Sequence, residues 1–478
     1  MPAGRGGIPA GARALGTGGL SWARDLDMSR PLFTPPPLLR LPPLDGQSLY
    51  VETAHARPEL PALEQAAEAD ACVVGAGIAG LCAAIELARN GLRVCVLEAH
   101  RVGSGASGRN GGQALGDFAC GIEALERRLG PEGASLAWEV SQQALLRLRA
   151  RIREHAIGCD WRDGAVVAAC TAPQAERVHA AMRHRQQRYG ATQLRWLDGA
   201  ALRAGLHSER YVGGVLDPLG GHLHPLNYTL GLARAARALG VRIHEHSPVL
   251  RLDGPDGLEG PQRPGAGHLL RCPRGQLRAR LLVLAGGVVP GLPLRRLRWR
   301  ILPVASCMIA TEPLEQAVPP AGFAVCDTEF VPDYFRFTVD GRLVFGGGAH
   351  WRVDRGLTDP AERRRHLRRA MLRVFPQWEH VRITHDWGGW IDVSLDRAPD
   401  FGRLGPACVY VQGFSGHGLA LAGMAGEMAA RALLEGPGAC PGFELIGRLR
   451  HATLPSCRLL RIPIAALGAL WGRFLHTS

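Results

Sequence analysis

Ala71-Cys72-Val73-Val74-Gly75-Ala76-Gly77-Ile78-Ala79-Gly80 is the stretch that decides the fold of this 478-residue chain. Its first four residues form a short apolar run of the kind a fully buried parallel strand needs. After the glycine turn comes a helical pattern (Leu81, Ala84, Ile85, Leu87, Ala88), which Asn90-Gly91 closes as a C-terminal cap. A second strand, Val94 to Leu97, ends in Glu98, eighteen residues past Gly80. Strand, glycine turn, helix, strand and terminal acid together form a dinucleotide-binding fingerprint. Gly75 permits the tight turn, Gly77 lets backbone approach a pyrophosphate, and Gly80 lets the helix pack on the strand. Ile78 and Ala79 open the helix, whose free amides and partial positive charge suit phosphates. Glu98 offers a carboxylate to ribose hydroxyls. Glycine makes up 62 of the 478 residues, so the triplet alone would carry little; the flanking strands and Glu98 make it specific.

Outward from this unit, Arg101 to Gln113 is a loop of small, hydroxyl, amide and arginine residues lying directly after the ribose acid. Ala106, Ser107, Arg109, Asn110, Gly111, Gly112 and Gln113 are expected to clamp the dinucleotide with backbone amides and a guanidinium. Val249 opens a short strand, and Leu281 to Leu284 reads as a buried strand ending in Ala285 and Gly286 beside the cofactor. Val409 to Gln412 runs into a second glycine-rich turn, Gly413, Ser415, Gly416, His417 and Gly418, which opens a helix from Leu419 to about Leu434. Both turns meet one elongated ligand if the domain is assembled from distant segments. Helices are expected over Ile122 to Ala156, Ala172 to Tyr189 and Tyr228 to Leu239. Tyr334 to Gly348 reads as a hairpin around Asp340-Gly341, so a second, antiparallel lobe is expected.

Composition excludes several classes. The net charge of +13 comes from 56 basic residues, all arginine, since the chain has no lysine. The Arg-rich segments Arg295 to Arg300 and Arg363 to Arg369 share one aromatic, Trp299, too few for a base-stacking surface. The second reads as a solvated helix face, and no nucleic-acid partner is expected. Twelve cysteines without a Cys-x-x-Cys pair point to buried free thiols in a reducing, cytoplasmic compartment. Eighteen histidines show no ligand spacing, so no metal is expected. No apolar run reaches the roughly 18 residues of a membrane span. Residues 1–47 are a Gly/Pro-rich extension, expected to be disordered, with Met28 an alternative start.

These stretches resemble the glycine/D-amino-acid oxidase superfamily of FAD-dependent amine oxidoreductases, and within it the branch that oxidises γ-glutamylputrescine. Gly75 to Gly80 with Glu98, Gly105 to Gln113, Gly220 to Asn227, Leu343 to Gly348, Phe414 to Gly418 and the tail Leu459 to Trp471 carry the likeness. It runs from about Ser48 almost to the C-terminus. The resemblance implies an α/β (α+β overall) fold, a discontinuous Rossmann-like FAD-binding domain interleaved with an antiparallel-sheet substrate domain. The FAD lobe is expected at about 68–125, 215–290 and 396–450, the substrate lobe at about 126–214 and 291–395, and a packed tail at 451–478.

The implied reaction takes a hydride from the carbon next to an uncharged amine, and the imine then hydrolyses to aldehyde and amine. His417 and the helix starting near Gly418 would stabilise the reduced flavin. Tyr334, Arg336 and Trp390, with Phe335 and Trp387, are candidates for the amine pocket, Arg336 for a γ-glutamyl carboxylate. His222 and His224 join them as catalytic candidates. Sarcosine oxidases of this superfamily hold FAD through a cysteine, and Trp387 to Asp400 contains none, so FAD is expected to be non-covalent. They also use a lysine to activate oxygen, so the acceptor here is oxygen or another electron acceptor. A D-amino-acid or N-methylglycine enzyme of the same fold is the alternative, and an Arg-rich nucleic-acid-binding protein the rival from another class.

Overall fold

The computed structural model describes residues 48–253, 267–287, 297, 300–314, 318–329, 331–347 and 359–452. The extension 1–47, nearly all of the 451–478 tail, and most of Arg295 to Arg300 lie outside the described residues. Ala66–Val74 is buried along its last four residues and is flanked in parallel by Val94–Leu97 and Gln276–Leu284. Arg242–His244 extends the sheet beyond Val94–Leu97, and Cys408–Gln412 pairs in parallel with the far end of Gln276–Leu284. Asp400–Gly405 forms the outer antiparallel strand. The parallel strands share one direction, so Val74, Leu97, Leu284 and Gln412 all end along one edge.

Two helices start from that edge, Ile78–Arg89 and Gly418–Glu435. Small residues let their backbones touch: a Cβ at Gly426 would overlap the Ala79 carbonyl oxygen and lie 3.0 Å from Ala83 N. Ile122–Glu154, kinked at Gly130 before Pro131, lies against Gly418–Glu435 through Arg147 and Arg151.

The second sheet is built on a long antiparallel pair, Ile301–Pro313 with Ile383–Ser394. Beside it is the hairpin Tyr334–Phe337/Arg342–Gly347, turning at Asp340-Gly341 where Gly341 has φ 78°. Ala324–Asp327 joins the hairpin to Arg162–Ala169, followed by Gly213–His222 and Gln113–Ala114. Residues 215–222, expected with the FAD lobe, therefore lie in the second sheet, where His222 pairs with both Arg162 and Gln113. Strand alternation sends Phe335 and Phe337 to one face, packed with Phe345, Phe375 and Trp378, and Tyr334 and Arg336 to the other. The Arg363 run is not wholly solvated. Arg363 is 3% exposed and pairs with the fully buried Asp386, which Arg364 also meets.

Asp327 ties the turn before the hairpin. Its Oδ1 accepts the amides of Glu329 (3.1 Å) and Asp333 (3.0 Å), yet burial pushes its pKa up to about 7. The folded state thus holds this proton more tightly than the unfolded chain, whose aspartates titrate near 4. The group's penalty is absent below that value and grows as pH rises from about 4 to 7, reaching roughly 2–4 kcal/mol. Asp327→Asn is expected to raise stability at pH 8 and flatten its decline between pH 4 and 7. Urea unfolding across that range checks this; an unchanged slope contradicts it.

Candidate active site

A cavity of about 380 Å³ opens at the shared strand edge, between the two sheets. Gly75, Gly77, Ile78 and Ala79 line one end, with Glu98, Val249, Ala285 and Gly286 around them. The turn is possible only with glycine. Gly75 has φ +103°, and a Cβ there would lie 2.7 Å from the Ala285 carbonyl oxygen. A Cβ on Gly77 would lie 2.8 Å from Ser107 Oγ, which itself accepts the Ile78 amide at 3.0 Å. Gly80 does not line the cavity; it lies against the Gly75 carbonyl and so closes helix onto turn. Glu98 is 8% exposed, and its two oxygens accept the amides of Ala76 (2.7 Å) and His100 (2.9 Å). Burial raises its pKa, the two amides oppose that, and each oxygen keeps a further lone pair for a hydroxyl.

Ala106, Ser107, Arg109, Asn110, Gly111 and Gln113 line the side of the cavity. Several of their side chains serve the loop itself. Asn110 Nδ2 donates to the carbonyls of Ala106 and Ser107, and its Oδ1 accepts the Gly112 amide. Gln113 reaches the carbonyls of Val325 and Phe335. Gly112 is set back from the cavity; with φ +79°, its Cβ would overlap the Leu223 carbonyl oxygen. Arg109 is 6% exposed and donates to the Gly388 carbonyl at 2.6 Å.

At the other end are Ser415, Gly416, His417 and Gly418, where the helix Gly418–Glu435 begins. Gly413, set back, has φ +76° and donates its amide to Asp392 Oδ2 at 2.7 Å. Burial, then the nearby Arg397, push the His417 pKa down to about 4, so the ring is neutral at pH 7. Tyr334 and Trp390 form aromatic walls, Tyr334 sharing a 2.7 Å hydrogen bond with Ser306. Trp387 stands behind, donating to the Arg109 carbonyl, and Phe335 is in the aromatic cluster of the second sheet.

His222, His224 and Arg336 are not among these residues. The structure places all three in a second cavity, on the far side of the Gly111–Gly112 backbone.

Sequence reading missed Asp392, Arg397 and Cys326. Burial pushes Asp392 up to about 6 and the Cys326 thiol up to about 12. Arg397 has φ +59°, lines the cavity, and makes no ion pair with any carboxylate among the described residues. The Gly388-Gly389 pair was the available signal, since glycine inside a strand marks a close approach. Here Arg109 packs on it, 3.3 Å from where a Gly389 Cβ would sit.

Glycine turn, ribose acid, two helix N-termini and Arg109 together fit a flavin dinucleotide. No group of three or more potential metal ligands occurs among the described residues, and no described helix is long and apolar enough to cross a membrane. Residues 70–432 match the DAO family model, FAD dependent oxidoreductase. The chain is 37% identical over 433 residues to a Haemophilus influenzae protein described as "Probable oxidoreductase OrdL", covering 90% of this chain and 97% of that one. It is 34% identical over 429 residues to γ-glutamylputrescine oxidoreductase of Escherichia coli, covering 89% and 96%. Glycine oxidase from Geobacillus kaustophilus shares the fold, with a TM-score of 0.64 at 20% identity over 78% of this chain and 96% of that one. The chain therefore belongs to the DAO family and is an FAD-dependent oxidoreductase.

Proposed function

We propose that the enzyme oxidises an amine that bears a carboxylate at a distance, with γ-glutamylputrescine the best fit. The observation that carries this reading is Arg397, a cavity cation without a carboxylate partner among the described residues, beside the aromatic walls of Trp390 and Tyr334. The walls suit a polymethylene chain, and the guanidinium suits a terminal carboxylate. When bound, FAD supplies the two-electron acceptor for the hydride leaving the carbon next to nitrogen.

The reaction needs the amine uncharged. The positive N-terminus of Gly418–Glu435 disfavours an ammonium close by, which lowers the substrate's pKa. Neutral His417 adds a hydrogen-bonding group without adding charge. The same positive end favours negative charge gained by the ring system on reduction. Asp392 holds the Gly413 to Ser415 turn and so positions that helix.

Attachment of FAD is proposed to be non-covalent. Trp387 to Asp400 contains no cysteine, and Cys326, the thiol that lines the cavity, is held protonated by burial. All eleven described cysteines are free, which suits a reducing, cytoplasmic setting.

The E. coli relative supports the substrate, and D-amino acids or N-methylglycine are the second reading, since they also carry a carboxylate. Chain length separates them. The ratio kcat/KM for γ-glutamylputrescine is expected to exceed that for D-alanine and sarcosine by at least about 100-fold, or ~2.7 kcal/mol of transition-state binding. Equal or reversed ratios in steady-state assays contradict the assignment.

A further inference from the structure

The second cavity, about 290 Å³, is separated from the first by one stretch of backbone. Gly111 faces Tyr334 on one side, its Cβ position 3.0 Å from that ring, and its carbonyl accepts Arg336 Nε at 2.8 Å on the other. Exposed Thr53, His55, Asp160 and Val339 surround the mouth. The floor is Tyr50, His222, His224 and Arg336, each less than a tenth exposed.

Two of these floor groups are satisfied. The Asn227 amide donates to His224 Nδ1 at 3.1 Å, so Nε2 carries the hydrogen and donates to Thr53 Oγ1 at 3.0 Å. Tyr50 Oη accepts Arg336 Nη2 at 3.2 Å. Two are not. His222 Nε2 lies 2.9 Å from the Gly322 carbonyl, which can only accept, so the hydrogen is on Nε2 and Nδ1 is a bare lone pair. That atom is buried and has no hydrogen-bond partner. Burial, then Arg336, push the His222 pKa down to about 3, so it stays an acceptor at neutral pH. Arg336 is a guanidinium 3% exposed that meets one carbonyl and one hydroxyl, with no carboxylate partner among the described residues. A buried cation without a counter-ion and a buried acceptor without a donor are both unfavourable. A ligand carrying an anion beside a donor answers both.

We propose that this cavity binds a small carboxylic acid bearing a neighbouring hydroxyl or ammonium group, a 2-hydroxy or 2-amino acid. Its carboxylate meets Arg336 and its donor meets His222 Nδ1. The proposal concerns a cavity apart from the flavin site and stands whether or not γ-glutamylputrescine is the amine.

Equilibrium dialysis of the full-length holoenzyme against L-lactate and propionate tests it, with the flavin spectrum recorded alongside. One equivalent of lactate is expected to bind with the flavin bands unmoved, and propionate, which lacks the donor, about tenfold more weakly. Arg336→Gln is expected to weaken lactate binding at least about 30-fold, and His222→Phe to bring lactate down to the propionate value. Should either variant lose FAD, Arg162→Gln at the half-buried rim is read instead, with a loss of about threefold to tenfold expected. No retention by the wild type, lactate and propionate bound alike, or binding that moves the flavin bands overturns the proposal.

Discussion

Gly80→Ala is expected to give a colourless protein, its folded state destabilised by at least about 3 kcal/mol. Helix propensity alone points the other way, since alanine is favoured over glycine in a helix by about 1 kcal/mol. Position decides against propensity. The alanine Cβ would overlap the Gly75 carbonyl oxygen and lie 3.1 Å from its carbon and 3.2 Å from Val73 Cγ1. None of these is the free end of a flexible side chain. Relief requires moving Ile78–Arg89 away from the strand, which opens the glycine turn proposed to hold the FAD pyrophosphate. Flavin absorbance and urea unfolding of the purified variant check it; a yellow variant of wild-type stability contradicts this reading of the turn.

Glu427→Leu is expected to lower stability by about 3–5 kcal/mol. Glu427 is on the helix Gly418–Glu435 and receives Arg151 Nε at 3.0 Å and Arg147 through two hydrogen bonds of 3.0 and 3.2 Å. Arg151 is 2% exposed. Removing the carboxylate leaves that guanidinium buried and uncompensated, whereas Arg147, more than a quarter exposed, can turn to water or to Glu154. The double variant Glu427→Leu with Arg151→Met is expected to recover most of the loss, because no buried charge then remains. Chemical denaturation of both variants decides it; a double variant as unstable as the single one contradicts the charge explanation.

What was legible in the sequence was local. The helix Ile78–Arg89, the helix Ala172–Tyr189 and the hairpin at Asp340-Gly341 follow from periodicity, capping and turn residues within a few positions. Gly413 to Gly418 was readable as a second helix-opening turn for the same reason. The remainder depends on pairing between distant strands. Asp392 faces the Gly413 turn only because Ile383–Ser394 pairs with Ile301–Pro313, and no short motif marks it. Arg336 reads as a pocket cation from its aromatic neighbours. Which pocket it enters is set by Gly111, more than 200 residues away. Asn110 had the composition of a ligand clamp, yet its amide closes the turn around itself, since a loop this rich in glycine has few other ways to fix its backbone.

The visible spectrum of the purified enzyme during anaerobic addition of γ-glutamylputrescine, followed by air, tests the central claim most directly. A yellow protein that the amine bleaches stoichiometrically is the expected result. The rate at which colour returns in air then shows whether oxygen is the acceptor in a chain without lysine. A yellow protein that this amine leaves unbleached would contradict the substrate, and a colourless protein that cannot be reconstituted with FAD would contradict the cofactor site itself.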